Sequence, residues 1–218
     1  MGVLALAPGC SADPGSLTGG ANPYAGDPGG GAADDDDDGP IGLPEPPPSR
    51  DNTFGDKTLY RARLWIDAKM PYCGGPNGGK DLICGGTCER TGRAKKAEWD
   101  DYRTDCSGFV SWAWELPPPG RTTRTLAPTD TSVSAVITIA DLLPGDALNG
   151  GGHAMIFGGW ADAESTAIGT ERTALILQES RCGTTAHEKT MEFKIADATT
   201  LQVIADGRKF RAIRFKAK

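Results

Sequence analysis

The sequence lacks the excess of basic residues that nucleic-acid-binding proteins carry. Residues 1–50 hold eight acidic residues and one basic residue, and residues 51–218 hold 21 acidic and 22 basic residues. The net charge of −6 therefore originates in the first 50 residues. Because the remaining domain is nearly neutral, it offers no electrostatic footprint for a polyanion, and we expect no nucleic-acid partner.

Metal-ligand patterns are also missing, and the chain has only two histidines. Cys73, Cys84 and Cys88 provide three thiols, at a spacing that differs from the paired spacings of zinc sites. The five aspartates of residues 34–38 are consecutive, whereas calcium loops alternate ligands with spacers. We therefore predict no metal site, and the thiol chemistry predicted below implies no organic cofactor.

A long apolar run is absent from the start of the chain. Residues 1–8 are mildly apolar, but they are too short for a full signal peptide or a membrane span. Cys10 follows the run Leu6-Ala7-Pro8-Gly9, which resembles the cleavage box of bacterial lipoproteins except for Pro8 and the place of the leucine. Cys10 is therefore a candidate lipidation site, and a tail with a stray cysteine is the alternative. We expect membrane contact only through such an anchor.

The chain divides by composition into two parts. Residues 1–50 are rich in glycine, proline and aspartate and have few large apolar side chains, which is typical of a disordered linker. Residues 51–218 contain the periodic apolar patterns and are long enough to bury a core. We predict a leader and linker over 1–50 and one folded domain over 51–218.

Residues 104–114 predict a turn that opens a helix around Cys106. Phe109, Val110, Ala113 and Trp114 recur on one helical face, and Cys106 stands where that face begins. Free backbone N–H groups and the positive end of the helix dipole favour a thiolate there. Cys106 is therefore a candidate nucleophile, and a small buried core residue is the alternative.

Apolar, strand-like segments follow the helices. They cover residues 153–159, 173–180, 191–195 and 209–215, and an amphipathic helix is predicted earlier, over 58–69. Helices first and strands later indicate an α+β fold with an antiparallel sheet. His153 opens the first of these strands after three glycines, and this position makes it a candidate base for a helix-start cysteine.

The remaining cysteines suit an exported protein. When Cys10 and Cys106 are set aside, Cys73, Cys84, Cys88 and Cys182 remain as disulfide candidates. Four cysteines allow three pairings, and the sequence does not select one of them.

Four short motifs, in this order, resemble the NlpC/p60-type papain-like cysteine peptidases, which cut bacterial cell-wall peptides. The resemblance covers roughly residues 54–216. It implies a papain-like α+β fold, with N-terminal helices packed on an antiparallel sheet. The motifs are Tyr72-Cys73-Gly74-Gly75, Asp105-Cys106-Ser107-Gly108-Phe109-Val110, Leu142-Leu143-Pro144-Gly145-Asp146 and His153-Ala154-Met155-Ile156-Phe157.

The same resemblance implies a catalytic triad. Cys106 attacks the carbonyl, and His153 takes the thiol proton and later protonates the leaving amine. The third member, a polar residue on the next strand, aligns with Gln178. Glu179 is the alternative, since a one-residue slip exchanges the faces of a strand, and His187 is a further candidate.

Three more residues receive roles from the resemblance. The Tyr72 hydroxyl and the Cys106 N–H would stabilise the oxyanion. Asp105 and Ser107 would contact polar groups of the substrate. The long segment 76–103 departs from the family pattern, and it would border the cleft.

Together these features predict a monomeric cysteine peptidase, either secreted or lipid-anchored, exported from a bacterial cell. Its predicted partners are peptidoglycan stem peptides, cleaved next to D-glutamate, at the bond to a diamino acid. Two alternatives remain open. The same chemistry could serve a deamidase, transferase or secreted toxin on other amides. The chain could also be a non-catalytic tethered binding module. A fully buried Cys106, or one farther than about 5 Å from His153, would favour this alternative.

Overall fold

A computed structural model describes residues 54–162 and 165–216 of the chain. The predicted leader and linker, the lipidation candidate Cys10 and residues 51–53 lie outside the described residues.

Two α-helices occur among the residues that the structure describes: α1, Phe54–Asp67, and α2, Cys106–Ala113. The Asp105 side chain caps α2 by accepting from the Gly108 N–H at 2.7 Å. This cap satisfies one of the backbone donors that a helix start leaves free. The helix ends near Glu115, whose φ of 55° is left-handed, and proline follows at Pro117. These local signals make Cys106 the first helical residue.

Seven antiparallel strands follow α2, and short 3₁₀ turns connect several elements. The strands are β1 Ser134–Val136, β2 Ala147–Gly150, β3 His153–Trp160, β4 Glu171–Gln178, β5 His187–Asp197, β6 Thr200–Val203 and β7 Lys209–Phe215.

Six of these strands form a closed barrel in the order β2-β3-β4-β5-β6-β7, because β7 pairs with both β2 and β6. The first strand, β1, adds to the free edge of β7 beyond β6. The predicted fold class, a papain-like α+β fold with N-terminal helices on an antiparallel sheet, is therefore wrong. The sequence did not reveal β6, a four-residue strand, and its pairing closes the sheet.

The buried side chains form two clusters, one on each face of the barrel wall. Alternate residues of the strands, among them Met155, Phe157 and Ile176, fill the interior cluster. Their neighbours Ala154 and Ile156 belong to the second cluster, which includes the apolar residues of both helices. This second cluster holds α2 against β3 and β4. The start of α2 is thereby fixed relative to the strands that carry His153 and Gln178.

Two disulfides tie the long segment 76–103 to the rest of the domain. Cys73 pairs with Cys88, and Cys84 pairs with Cys182. The four candidate cysteines are therefore disulfide-bonded, and one of the three pairings left open by the sequence is selected. The bonds suit an oxidising, exported environment. Among the described residues, no helix is long and apolar enough to cross a membrane.

Candidate active site

The loop that carries Tyr72 is held between two other segments. Cys73 and Thr104 exchange backbone hydrogen bonds, from the Cys73 N–H to the Thr104 oxygen at 3.3 Å and from the Thr104 N–H to the Cys73 oxygen at 2.9 Å. On the other side, the Tyr72 N–H donates to the Thr184 oxygen at 3.0 Å. Tyr72 therefore lies beside the start of α2 and beside the connection that follows β4.

Cys106 is fully buried and takes part in a disulfide. The two bonds described above account for four of the six cysteines of the sequence. The remaining cysteine, Cys10, lies outside the described residues. A nucleophilic Cys106 therefore requires that its disulfide first be reduced, because the thiolate is the reactive form.

His153 and Gln178 make a buried polar contact at the ends of two neighbouring strands. His153 is the first residue of β3 and Gln178 the last of β4, and both side chains are buried. His153 Nε2 lies 2.8 Å from Gln178 Oε1. Because an amide oxygen only accepts, we assign the imidazole proton to Nε2. His153 Nδ1 then carries a free lone pair, and this buried atom has no hydrogen-bond partner in the described part of the chain.

A second histidine continues this contact. His187 opens β5 directly opposite Gln178. Gln178 Nε2 lies 3.4 Å from His187 Nε2, and His187 Nδ1 lies 2.7 Å from the Thr185 oxygen. Because the Thr185 oxygen only accepts, His187 carries its proton on Nδ1 and its Nε2 accepts from the Gln178 amide. The chain of hydrogen bonds from His153 to Thr185 therefore runs in one direction and fixes the orientation of the amide.

The surroundings keep His153 neutral. Burial lowers the pKa of His153 to about 4, and the hydrogen bond with Gln178 opposes this shift in part. The nearby charges of Arg208 and Lys189, together with His187, contribute to the same lowering of the pKa. A neutral imidazole at pH 7 has the protonation state that a base needs.

Glu179 is fully buried but stays outside this chain of hydrogen bonds. The Ala186 N–H is close enough to lower the Glu179 pKa, yet it donates to the Met70 oxygen at 2.9 Å. Within residues 54–162 and 165–216, neither carboxylate oxygen has a hydrogen-bond partner. Burial, the largest effect, and the charge of Asp105 raise the pKa of Glu179 well above its usual value. Gln178, and not Glu179, contacts His153.

Tyr72 is placed to donate a hydrogen bond. Its hydroxyl is buried and has no hydrogen-bond partner among the residues that the structure covers. Burial raises the pKa of Tyr72, and the charges of Asp105 and Glu179 raise it further. The phenol therefore keeps its proton beside the start of α2, as an oxyanion donor must.

Asp105 and Ser107 are engaged with the helix start. Ser107 Oγ donates to Asp105 Oδ1 at 3.0 Å, and the same oxygen accepts from the Gly108 N–H. Arg103 forms an ion pair with Asp105 at 3.5 Å. Both predicted substrate contacts are buried, and their polar groups are occupied by this cap.

One group of side chains has the ligand types of a metal site: Cys73, Asp81 and Cys88. The two sulfur atoms are joined in a disulfide, so they cannot serve as thiolate ligands. Asp81 instead accepts from the N–H groups of Ile83 and Cys84, each at 2.9 Å. The arrangement stabilises its own loop.

Sequence reasoning missed the contact between His187 and Gln178, because it depends on the register between β4 and β5. Only the histidine itself, in a polar stretch after a strand, was visible. No family model matches the chain, and neither a curated protein nor a solved structure matches it. Any function must therefore be argued from the site itself.

Proposed function

We propose that the protein is a thiol hydrolase that cleaves amide bonds with Cys106 as nucleophile and His153 as base. The observation that carries this proposal is the buried pair of His153 and Gln178, with Nε2 and Oε1 at 2.8 Å. This contact leaves the lone pair of His153 Nδ1 without a hydrogen-bond partner among the described residues. An orphaned buried acceptor is costly unless a donor completes it, and the thiol of a reduced Cys106 is the proposed donor.

The proposed reaction has two stages. His153 Nδ1 takes the thiol proton as the sulfur attacks the amide carbonyl, which forms a C–S bond. The oxyanion that develops is stabilised by the Tyr72 hydroxyl and the Cys106 N–H. His153 then protonates the leaving amine as the C–N bond breaks, and water hydrolyses the thioester to release the acid and restore the thiol.

The proposed substrates are peptidoglycan stem peptides, cut at the bond between D-glutamate and a diamino acid. The support is the motif resemblance around Tyr72, Cys106 and His153, together with the disulfides, which suit an exported enzyme. We propose a bacterial protein that acts as a monomer outside the cytoplasm. It is either secreted or, where the Cys10 thiol carries a lipid in place of a disulfide, anchored through Cys10.

Hydrolysis of purified peptidoglycan by the full chain tests the proposal, with new amino groups as the readout. After mild reduction we expect the wild-type protein to release amines and Cys106→Ala to release none. Cys10→Ser is the matched control, because it also removes a cysteine but keeps Cys106, and it should be active. Equal activity of Cys106→Ala and wild type would refute the mechanism. Release of ammonia in place of new amino termini would indicate a deamidase.

One observation favours a second candidate, a non-catalytic binding module. Cys106 is fully buried and disulfide-bonded, which are properties of a structural cysteine. This candidate gives no role to the oriented hydrogen bonds from His153 through Gln178 to His187. It predicts that mild reduction produces no activity and that Cys106 stays unreactive.

A further inference from the structure

A pocket of about 420 Å³ is lined in part by the turn that precedes His153. This volume is within the range of small-molecule sites. The pocket is bounded by the Thr123–Thr129 loop, the Gly150–Gly152 turn, the connection between β5 and β6, and the start of β7. The functional site described above does not use it.

The lining of the pocket holds more basic than acidic side chains. Arg124, Lys209 and Arg211 line it, and Asp197 is the only carboxylate among the lining residues. Arg211 is paired with Asp197 at 3.4 Å. Arg124 and Lys209 have no ion-pair partner within the described ranges, so they provide two uncompensated positive charges at the pocket.

A buried amide adds an acceptor to these cations. Asn149 lines the pocket and is 2% exposed, with its Nδ2 donating to the Thr123 oxygen at 2.9 Å and to the Ala127 oxygen at 2.8 Å. These two bonds fix the side chain against the Thr123–Thr129 loop. Its Oδ1 has no hydrogen-bond partner in the part of the chain that the structure describes. An unpaired buried acceptor suits a ligand N–H.

The glycine turn keeps one wall of the pocket free of side chains. A Cβ at Gly150 would meet the Lys209 backbone oxygen at 2.4 Å, so this wall lies tightly against β7. Gly151 and Gly152 have φ values of 57° and 77°, which disfavour any other residue. A ligand can therefore approach backbone directly beside His153, the next residue in the chain.

We infer that this pocket binds the C-terminal end of a short peptide, with Arg124 and Lys209 on its carboxylate and Asn149 Oδ1 on its last amide N–H. A peptide C-terminus combines these two groups at neighbouring atoms. Phe210 lines the pocket and packs edge-on against the His153 ring, with the two ring centroids 6.3 Å apart. The cleaved bond would then lie within the last few residues of the substrate. This identification as a substrate site rests on the proposed function, but the carboxylate binding does not.

Calorimetric titration of the full-length Cys106→Ala protein tests the inference, because this variant cannot cleave the probe. The probes are N-acetyl-trialanine with a free C-terminal carboxylate and the same peptide as its C-terminal amide. At low ionic strength the acid should bind about tenfold more tightly than the amide, since charge-assisted hydrogen bonds are the stronger ones. The added substitutions Arg124→Gln and Lys209→Gln should abolish the preference.

Lys57→Gln with Lys194→Gln is the matched control, because both lysines are exposed and lie outside the pocket. The control should keep the preference for the acid. Equal binding of acid and amide would overturn the inference, as would an equal loss in the control. If the Cys106→Ala protein prefers the acid but the reduced wild-type protein hydrolyses no amide, the carboxylate site is supported and only the proposed function is refuted. Hydrolysis without acid preference would refute the pocket alone.

Discussion

Gln178 and Glu179 are adjacent in the chain at the end of β4, and both are buried. Their side chains differ in hydrogen bonding. Both ends of the Gln178 amide are hydrogen-bonded, to His153 and to His187. Neither oxygen of Glu179 has a hydrogen-bond partner among the described residues. The Gln178 amide accepts with its oxygen and donates with its nitrogen, so it joins the two histidines in one line of hydrogen bonds. The residue type at 178 therefore suits the orientation of a histidine, whereas burial raises the pKa of Glu179 and disfavours its charged form.

The pKa values of His153 and Glu179 shift in opposite directions, but both shifts have the same consequence for charge. Burial lowers the pKa of His153 and raises the pKa of Glu179. Each shift disfavours the charged form. The uncharged forms of His153 and Glu179 are therefore both favoured. The stability of the protein should depend on pH in opposite directions through these two groups.

The largest expected effect comes from removing the proposed base. His153→Ala should lower the rate of amide hydrolysis by about 10²- to 10⁴-fold, the range for general acid–base catalysis. The measurement is the rate of amine release after mild reduction. His153→Gln should be as inactive, although it restores a hydrogen bond to position 178. Activity within a factor of a few of wild type would show that His153 is not the base.

The next largest effect on the hydrolysis rate should come from substitutions at Gln178. Gln178→Ala should reduce the hydrolysis rate by about 10- to 100-fold, since small errors in orientation cost up to about 10². Gln178→Glu should lose less, because it still accepts from His153 Nε2. Glu179→Gln is the control and should stay within a factor of a few of wild type. A larger loss for Glu179→Gln than for Gln178→Ala would make Glu179 the third catalytic residue.

The pH dependence of the free energy of unfolding should distinguish His153 from Glu179. Because the folded pKa of His153 is lowered from 6.5 to about 4, its contribution to stability is lost as pH falls through that range. The folded pKa of Glu179 is raised above 4.5, so its contribution is lost as pH rises from there. Between about pH 4.5 and 6.5 the two slopes oppose each other.

Urea unfolding of the oxidised protein measures these slopes. Glu179→Gln should become more stable with rising pH, by up to about 1.4 kcal/mol per pH unit relative to wild type. His153→Gln should change in the opposite direction. Parallel pH profiles for wild type and both variants would show that neither group is shifted.

The smallest effect concerns the end of the hydrogen-bond chain. His187→Ala should lower the hydrolysis rate by about two- to tenfold, the value of one hydrogen bond. His187→Gln, whose side-chain oxygen can still accept from the Gln178 amide, should recover part of the loss. Full activity of His187→Ala would mean that the amide is oriented without it.

Local features of this chain were predictable from sequence, and long-range pairings were not. The apolar face of residues 109–114 predicted that Cys106 stands at a helix start, where the structure has it. The strand beginning at His153 and the last strand, 209–215, were also found. These elements carry their signals within a few residues.

No local sequence pattern predicts the closure of the barrel or the hydrogen bonds that run from His153 to Thr185. Closure depends on β6, whose four residues pair with β5 and β7, and so short a strand has no recognisable alternation. The partner of Gln178 depends on the register that sets it opposite His187. The choice between Gln178 and Glu179 was likewise a matter of one residue of register, which only the fold fixes.

The most direct test is the reaction of Cys106 with iodoacetamide across pH after mild reduction, followed by peptide mass analysis. After reduction, the negative charge of a Cys106 thiolate beside His153 favours the protonated imidazole, because an opposite charge stabilises the charged form. Such a pair should be alkylated rapidly below pH 7, and His153→Ala should remove this reactivity. Alkylation that rises only near the free-thiol pKa of about 8.5, with or without His153, would contradict an activated nucleophile.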